Sequence, residues 1–326
     1  MQKINELIIK EAETLLKEGK VNAVLAWKKG EHFYDQTPGF FTSLEEIKDL
    51  IYDDFCGANL SKYLFKHRGE YEKIAVFLKP CDTYSLNELL SENKVVREMV
   101  VAIGTPCSGM IDIRKIRALH IKGITKVTVL KNSVTVETLY GNKTLTKEEI
   151  LLEKCLACKG SAYMVSDKTI GEPLEVIHAP YDRFEKVRAL EKLTPAEKFS
   201  FWQKELSKCI RCNACRDVCP CCTCEKCVFD NPHSGISSKA NADSAEEQVY
   251  HIIRAYHVAG RCTDCGECSR VCPQGIPLEL LNRKFIKDIN EFYGEYQSGD
   301  NAGKKPPLLD FALNDVESTV LDKGGK

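Results

Sequence analysis

Apolar residues Ile4, Leu7, Ile8 and Leu15 recur at helical spacing across the first twenty positions. That pattern predicts an amphipathic helix whose acidic residues set it apart from a secretory leader. The next apolar run, VNAVLAW at 21–27, reads as a strand. A second helix is expected over SLEEIKDLIYDDF at 43–55, with Ser43 as N-cap and Glu46 three places on. The pattern then changes period. KIAVFLK at 73–79 is strand-like, TYSLNELLSENK at 83–94 helix-like, and MVVAIGT at 99–105 strand-like again. Such a βαβ crossover implies neighbouring parallel strands. KVTVL and SVTVETLYG, joined at Lys131-Asn132, predict a hairpin that closes the same sheet. The expected architecture is therefore an α/β amino-terminal domain with a parallel βαβ core over 1–180. A polar helical connector over 181–208, a mostly α-helical domain over 209–295 and an extended tail over 296–326 complete it. Gly, Pro and charge dominate that tail.

Composition narrows the functional classes. A chain of 326 residues with 43% hydrophobic content suits a pair of domains, each with a core. A net charge of −1 argues against nucleic acid as the principal partner. No run approaches the eighteen or so apolar residues of a membrane span, so a cytoplasmic location is expected. P-loop, GxGxxG and HExxH signatures are missing from the sequence.

The seventeen cysteines change the picture most, because twelve of them fall between Cys209 and Cys272. A disulfide framework is expected in small secreted domains, whereas thiolate ligation of a soft metal suits a chain of this size. Two runs share one spacing, Cys209-x-x-Cys212-x-x-Cys215-x-x-x-Cys219-Pro220 and Cys262-x-x-Cys265-x-x-Cys268-x-x-x-Cys272-Pro273. In two-cluster ferredoxins the fourth cysteine of each run serves the other cluster. The expectation is two 4Fe-4S clusters, one on Cys209, Cys212, Cys215 and Cys272, the other on Cys262, Cys265, Cys268 and Cys219. Structural zinc also uses CxxC pairs, but has no need of two complete runs each closed by Cys-Pro. The 42 residues between Cys219 and Cys262 contain NADSAEEQVYHIIRAYHVAG, a helix signature with Asp243 or Ser244 as N-cap and Gly260 as C-cap. That helix separates this region from a compact βαββαβ ferredoxin. His251 and His257 on it read as packing or solvent residues, since the thiolates already suffice.

Cys81 follows one predicted strand and Cys107 the next, and open α/β sheets place ligands at such strand ends. With Cys155 and Cys158 they make a four-thiolate set suited to a third 4Fe-4S cluster. The competing reading is separate buried cysteines plus a zinc or redox CxxC. Cys56, Cys221, Cys222, Cys224 and Cys227 remain. The run CPCCTCEKC at 219–227 could bind a further cluster, bind zinc, or offer surplus ligands near the first motif.

VNAVLAWKKG, LKPCD at 78–82, IGTPC at 103–107 and the CLAC pair resemble the β-subunits of deazaflavin-dependent hydrogenases and formate dehydrogenases. LSKCIRCNACRDVCP with HVAGRCTDCGECSRVCPQGIPL resembles the dicluster extension of heterodisulfide-reductase-linked iron–sulfur subunits. The resemblance implies that Cys81, Cys107, Cys155 and Cys158 hold a cluster, and that Cys222, Cys224 and Cys227 match cysteine positions of relatives. One departure stands out. The glycine-rich stretch and the Cys-Gly-Asn-Trp-Gly-like stretch associated with the family's flavin site are not visible here, so FAD is not carried over. The resulting expectation is an electron-transfer subunit linking a flavoprotein or nicotinamide module to a hydrogenase, formate dehydrogenase or heterodisulfide-reductase-like partner. The alternative is an FAD-containing subunit that itself oxidises or reduces a deazaflavin, with Lys79, Asp82 and Thr83 beside Cys81 as residues to examine. A cluster-based sensor or scaffold is the third class, and no output domain is apparent for it.

Overall fold

The computed structural model describes residues 1–174, 182–231, 233, 244–301, 303 and 305–309. Helix α1 (Gln2–Lys17) buries Ile4, Ile8, Ala12 and Leu15 against a five-stranded sheet, as its apolar stripe requires. The strands are β1 (Ala23–Lys28), β2 (Thr37–Phe41), β3 (Ile74–Leu78), β4 (Val100–Gly104) and β8 (Lys168–Thr169), in the order β2-β1-β3-β4-β8. β1, β3, β4 and β8 run parallel, and β2 is antiparallel at one edge. Every residue of β3 is buried, which is the pattern of a central parallel strand covered on both faces.

Two sequence expectations need correction here. The helix expected over 43–55 is only a 3-10 turn, Glu46–Asp49. Leu50 is extended, bridges Lys28, and Ile51 donates its N–H to the Trp27 carbonyl, so sheet pairing overrides the helical pattern. The Glu46 carboxylate does cap as expected, accepting from the Thr42 and Ser43 amides. The hairpin does not close the main sheet. It belongs to a separate three-stranded sheet of β5 (Ile124–Leu130), β6 (Ser133–Thr138) and β7 (Gly141–Thr146). That sheet has its own small core, in which Val134 and Val136 pack with Ile111, Ile116 and Ile150.

Short helices α2 (Ser61–Lys66), α4 (Ile113–Ala118), α5 (Lys147–Ile150) and α6 (Glu153–Leu156) fill the connections, while α3 (Pro80–Ser91) is the βαβ crossover. Pro80 at its first position lets the helix begin earlier than the sequence suggests, placing Cys81 inside its first turn. α3 buries Asp82, Thr83, Ser85, Asn87 and Glu88 as well as Leu86 and Leu89. Its polar face is covered by the carboxy-terminal region. Ser85 Oγ lies 2.9 Å from Thr263 Oγ1, and Asn87 Nδ2 donates to the Gly299 carbonyl at 2.9 Å.

That region is helical: α7 (Glu185–Glu191), α8 (Pro195–Leu206), α9 (Ala214–Asp217), α10 (Ser244–His257), α11 (Glu267–Arg270) and α12 (Leu278–Tyr293). A capping box between Thr194 and Glu197, with Pro195 at the first position, starts α8. α10 is the inter-motif helix, packed on α8 and α12. Its expected cap Asp243 lies outside the described residues, and Gly260 takes φ +74° just beyond its carboxyl end. The start of the expected extended tail is docked instead, for Tyr296 and Ser298 are buried and Ser298 Oγ donates to the Arg261 carbonyl. Residues 302, 304 and 310–326 lie outside the described ones.

Candidate metal centres

The two cysteine motifs fold alike. Arg211 and Asp264, each two residues after the first cysteine of its motif, both take φ +53°. Asn213 and Gly266, each four residues after, take φ +62° and +64°. Left-handed backbone is costly for three of these four residue types, so its repetition marks a geometry imposed by the loop's task. Each loop leads into a short helix, α9 or α11, whose second residue is the third cysteine, Cys215 or Cys268. The Arg211 amide donates to Cys209 Sγ at 3.3 Å, and the Asp264 amide bonds Cys262 in the same way.

Cys209, Cys212, Cys215 and Cys272 line one cavity, which crosses the motifs. Cys219 instead packs with Cys262. Burial pushes the Cys265 thiol up to about 12 and raises Cys262 and Cys268 too, with the charge of Cys219 adding in all three cases. Cys219 thus faces the second motif, and Cys272 the first.

A separate cavity brings together Cys81, Cys107, Cys155 and Cys158. Cys81 comes from the first turn of α3, Cys107 from the loop after β4, and Cys155 from α6. Backbone amides point at three of these sulfurs: Gly109 to Cys107 at 3.4 Å, Met110 to Cys155 at 3.3 Å and Gly160 to Cys158 at 3.4 Å. Burial pushes Cys107 up to about 12 and raises Cys81 and Cys155, so metal ligation has to release thiol protons. Cys265 of the second motif lines this same cavity, which sequence spacing gave no sign of.

Two lysines flanking Cys155 and Cys158 fasten the cavity to the second motif. Lys154 Nζ donates to the Gly57 carbonyl at 2.6 Å and to Glu267 Oε1 at 2.5 Å. Lys159 Nζ donates to the Thr263 carbonyl at 2.7 Å. Lys79, Asp82 and Thr83 make internal contacts: the Lys79–Asp82 pair is buried at 2.8 Å, Lys79 Nζ reaches the Ala58 carbonyl, and Thr83 Oγ1 accepts from the Met164 amide.

All seventeen cysteines are free. Among the described residues no three His, Cys, Asp or Glu side chains converge on the spacing of a single metal ion; the thiols ring cavities instead. Four soft sulfur donors around a cavity, with backbone amides on the sulfurs, fit an iron–sulfur cluster.

The comparisons agree. The 4Fe-4S dicluster domain family matches residues 205–276. An F420-dependent formate dehydrogenase subunit beta of Methanocaldococcus jannaschii is 26% identical, the match covering 90% of this chain and 91% of that one. The F420-dependent formate dehydrogenase 1 subunit beta of Methanococcus maripaludis is 25% identical over 66% and 71% of the two chains. The chain is thus similar along most of its length to formate dehydrogenase β-subunits, with a 4Fe-4S dicluster match over 205–276. A chain of the F420-reducing NiFe hydrogenase complex from Methanosarcina barkeri aligns with 62% of this one and 89% of its own length, at 14% identity and a TM-score of 0.39.

Within the dicluster domain, His251 does more than pack. Its Nε2 lies 3.3 Å from Cys209 Sγ, and burial, reinforced by Arg254 and Arg211, pushes its pKa down to about 3. A neutral imidazole with its proton on Nε2 donates to that sulfur. Asn282 Nδ2 approaches Cys268 Sγ at 3.7 Å, so each motif receives one side-chain donor. Sequence periodicity could place His251 on α10 but not aim it. His257 is exposed.

Cys221, Cys222, Cys224 and Cys227 line a third, more open cavity with Lys62, Arg216 and Arg254. Cys56 reaches none of these cavities. It is buried in the main core near the Asp53 amide, the small-hydrophobe role of many free cysteines. No described helix is long and apolar enough to cross a membrane.

Proposed function

We propose that the chain is an electron-transfer subunit of a multi-subunit redox complex, holding three 4Fe-4S clusters. Cys81, Cys107, Cys155 and Cys158 ligate one, Cys262, Cys265, Cys268 and Cys219 the second, and Cys209, Cys212, Cys215 and Cys272 the third. Such clusters supply one-electron acceptors and donors. The protein's own task is to hold them in line, exclude water and direct N–H groups at sulfur. The observation that carries the reading is Cys265, which lines the cavity of the first set while belonging to the second. The second set in turn packs on the first motif through α9 and α11. Electrons would pass along that sequence of sites without any acid, base or nucleophile.

The relatives are named as beta subunits of F420-dependent formate dehydrogenases, which supports a formate dehydrogenase as the complex; the other end of the relay would be a flavin or nicotinamide module. Anaerobic purification with iron, sulfide and flavin analysis tests this. Roughly twelve irons per chain and no flavin fit the relay. Stoichiometric FAD would replace it with the second reading, a subunit that itself exchanges electrons with a deazaflavin.

A further inference from the structure

The cavity beneath the Cys221–Cys227 run is lined by no ligand of the three four-cysteine sets, although Cys222 is hydrogen-bonded to Cys219. It is walled by α2, the end of α9, the end of α10 and the run itself. Its thiols are not equivalent. Cys221 is buried, and its Sγ donates to the Arg261 carbonyl at 2.9 Å, which gives it a structural partner. Cys222 and Cys227 are half-buried and Cys224 is exposed, and all three line the cavity. The spacing Cys222-x-Cys224-x-x-Cys227 is that of a ligating loop, in which short gaps turn successive sulfurs toward one centre.

The charges around the cavity bear on Cys222 in particular. Most are paired with each other: Arg216 with Asp230, Arg261 with Glu92, and Glu225 with Arg68. Lys62 and Arg254 are not. Both are at least 95% buried, and neither has a carboxylate partner among the described residues. Lys62 Nζ donates to the Cys222 carbonyl at 2.5 Å, Arg254 Nη2 donates to the Cys215 carbonyl at 2.8 Å, and Arg254 Nε has no partner. Two buried cations without counter-ions cost several kcal/mol each unless negative charge faces them. Cys219, Cys215 and Cys268 of the dicluster sites supply part of that charge, and Cys222 faces both cations, so a metal-bound thiolate at Cys222 would add to it.

We propose that Cys222, Cys224 and Cys227, backed by Lys62 and Arg254, form a further thiolate-bound metal centre, additional to the three four-cysteine sets. The chemistry is thiolate ligation of an iron–sulfur group; the three thiols do not lie at the spacing of a single ion, so zinc is the competing outcome of the test. Each thiol loses a proton to solvent and gains a bond to metal, with no change in the protein's redox state.

The test uses the full chain, prepared anaerobically and reconstituted either with iron and sulfide or with zinc alone. Metal and sulfide per chain are measured for the wild type, for Cys224→Ser with Cys227→Ser, and for Cys221→Ser. The double variant should lose one complement of metal, about four irons or one zinc, while Cys221→Ser loses none. Which reconstitution shows the difference separates the iron–sulfur form from zinc. Equal metal content in the wild type and the double variant under both conditions overturns the proposal. Lys62→Met keeps every thiol, so it guards against misfolding of the double variant; it should shed the same complement faster to a chelator, and unchanged release also counts against the centre. Failure of the three-cluster reading looks different, as fewer than about twelve irons in the double variant itself.

Discussion

The ammonium of Lys154 lies 2.5 Å from the carboxylate of Glu267, and both side chains are almost wholly buried. Lys154 is next to Cys155, and Glu267 is next to Cys268, so this pair joins two candidate metal sites. Arg270 completes it by bonding Glu267 from the other side at 2.8 Å. Burial opposes ionisation of Glu267, but Arg270 and Lys154 outweigh it and hold the carboxyl well below the usual range. A carboxyl lowered in the folded state stabilises above its unfolded pKa, and that contribution is lost as pH falls. Glu267→Gln should therefore destabilise the chain by about 3–5 kcal/mol at neutral pH, read by anaerobic denaturant titration. The gap to wild type should narrow on acidification.

His251 gives a prediction about potential. Hydrogen bonds to cluster sulfur favour the more negative, reduced state. His251→Leu should lower the potential of the cluster proposed at Cys209, Cys212, Cys215 and Cys272 by on the order of tens of millivolts, the scale of one weak hydrogen bond. Asn282→Leu should do the same at the other site of the dicluster domain. Titrations followed by electron paramagnetic resonance would resolve the two. Identical shifts at both clusters in either variant would contradict the assignment.

Gly299 sits at φ +79°, and a Cβ there would lie 2.0 Å from the Tyr84 carbonyl oxygen. Gly299→Ala should cost roughly 1–3 kcal/mol through backbone strain and overpacking. The segment at 296–300 should then release from α3, which limited proteolysis would report as earlier cleavage there.

Glu88 on α3 is pushed up to about 7, first by burial and then by the charge of Glu92. The folded state holds this proton where the unfolded chain has lost it. Stability therefore declines as pH rises from the unfolded carboxyl value of about 4.3 towards 7. Glu88→Gln should flatten that decline, and thermal melts across pH 5–8 would show it.

The parallel core was legible because β3 and β4 are short unbroken apolar runs and α1 repeats every three or four residues. β2 was not, since Pro38 and Gly39 mask it and only an edge position tolerates them. The three-stranded sheet escaped notice as a separate unit because alternation fixes a strand's faces, not the sheet it joins. The ferredoxin motifs carry their own spacing and could be read directly. Convergence of Cys81, Cys107, Cys155 and Cys158 could only be inferred from strand ends and resemblance. The partners that tune the sites could not be read at all. His251 and Asn282 reach sulfur, and Lys154 reaches Glu267, across 14 to 113 positions of sequence, and no local pattern encodes such a meeting.

Lys159 holds the carbonyl of Thr263 while Cys265 lines the cavity beneath Cys155 and Cys158. The loop that carries one set of ligands is thus also part of the container for another. Under the proposed three-cluster reading, closing the amino-terminal site around its cluster would therefore require the second motif folded against it. Until Cys265 is translated and folded, the cavity around Cys81, Cys107, Cys155 and Cys158 lacks one of its walls.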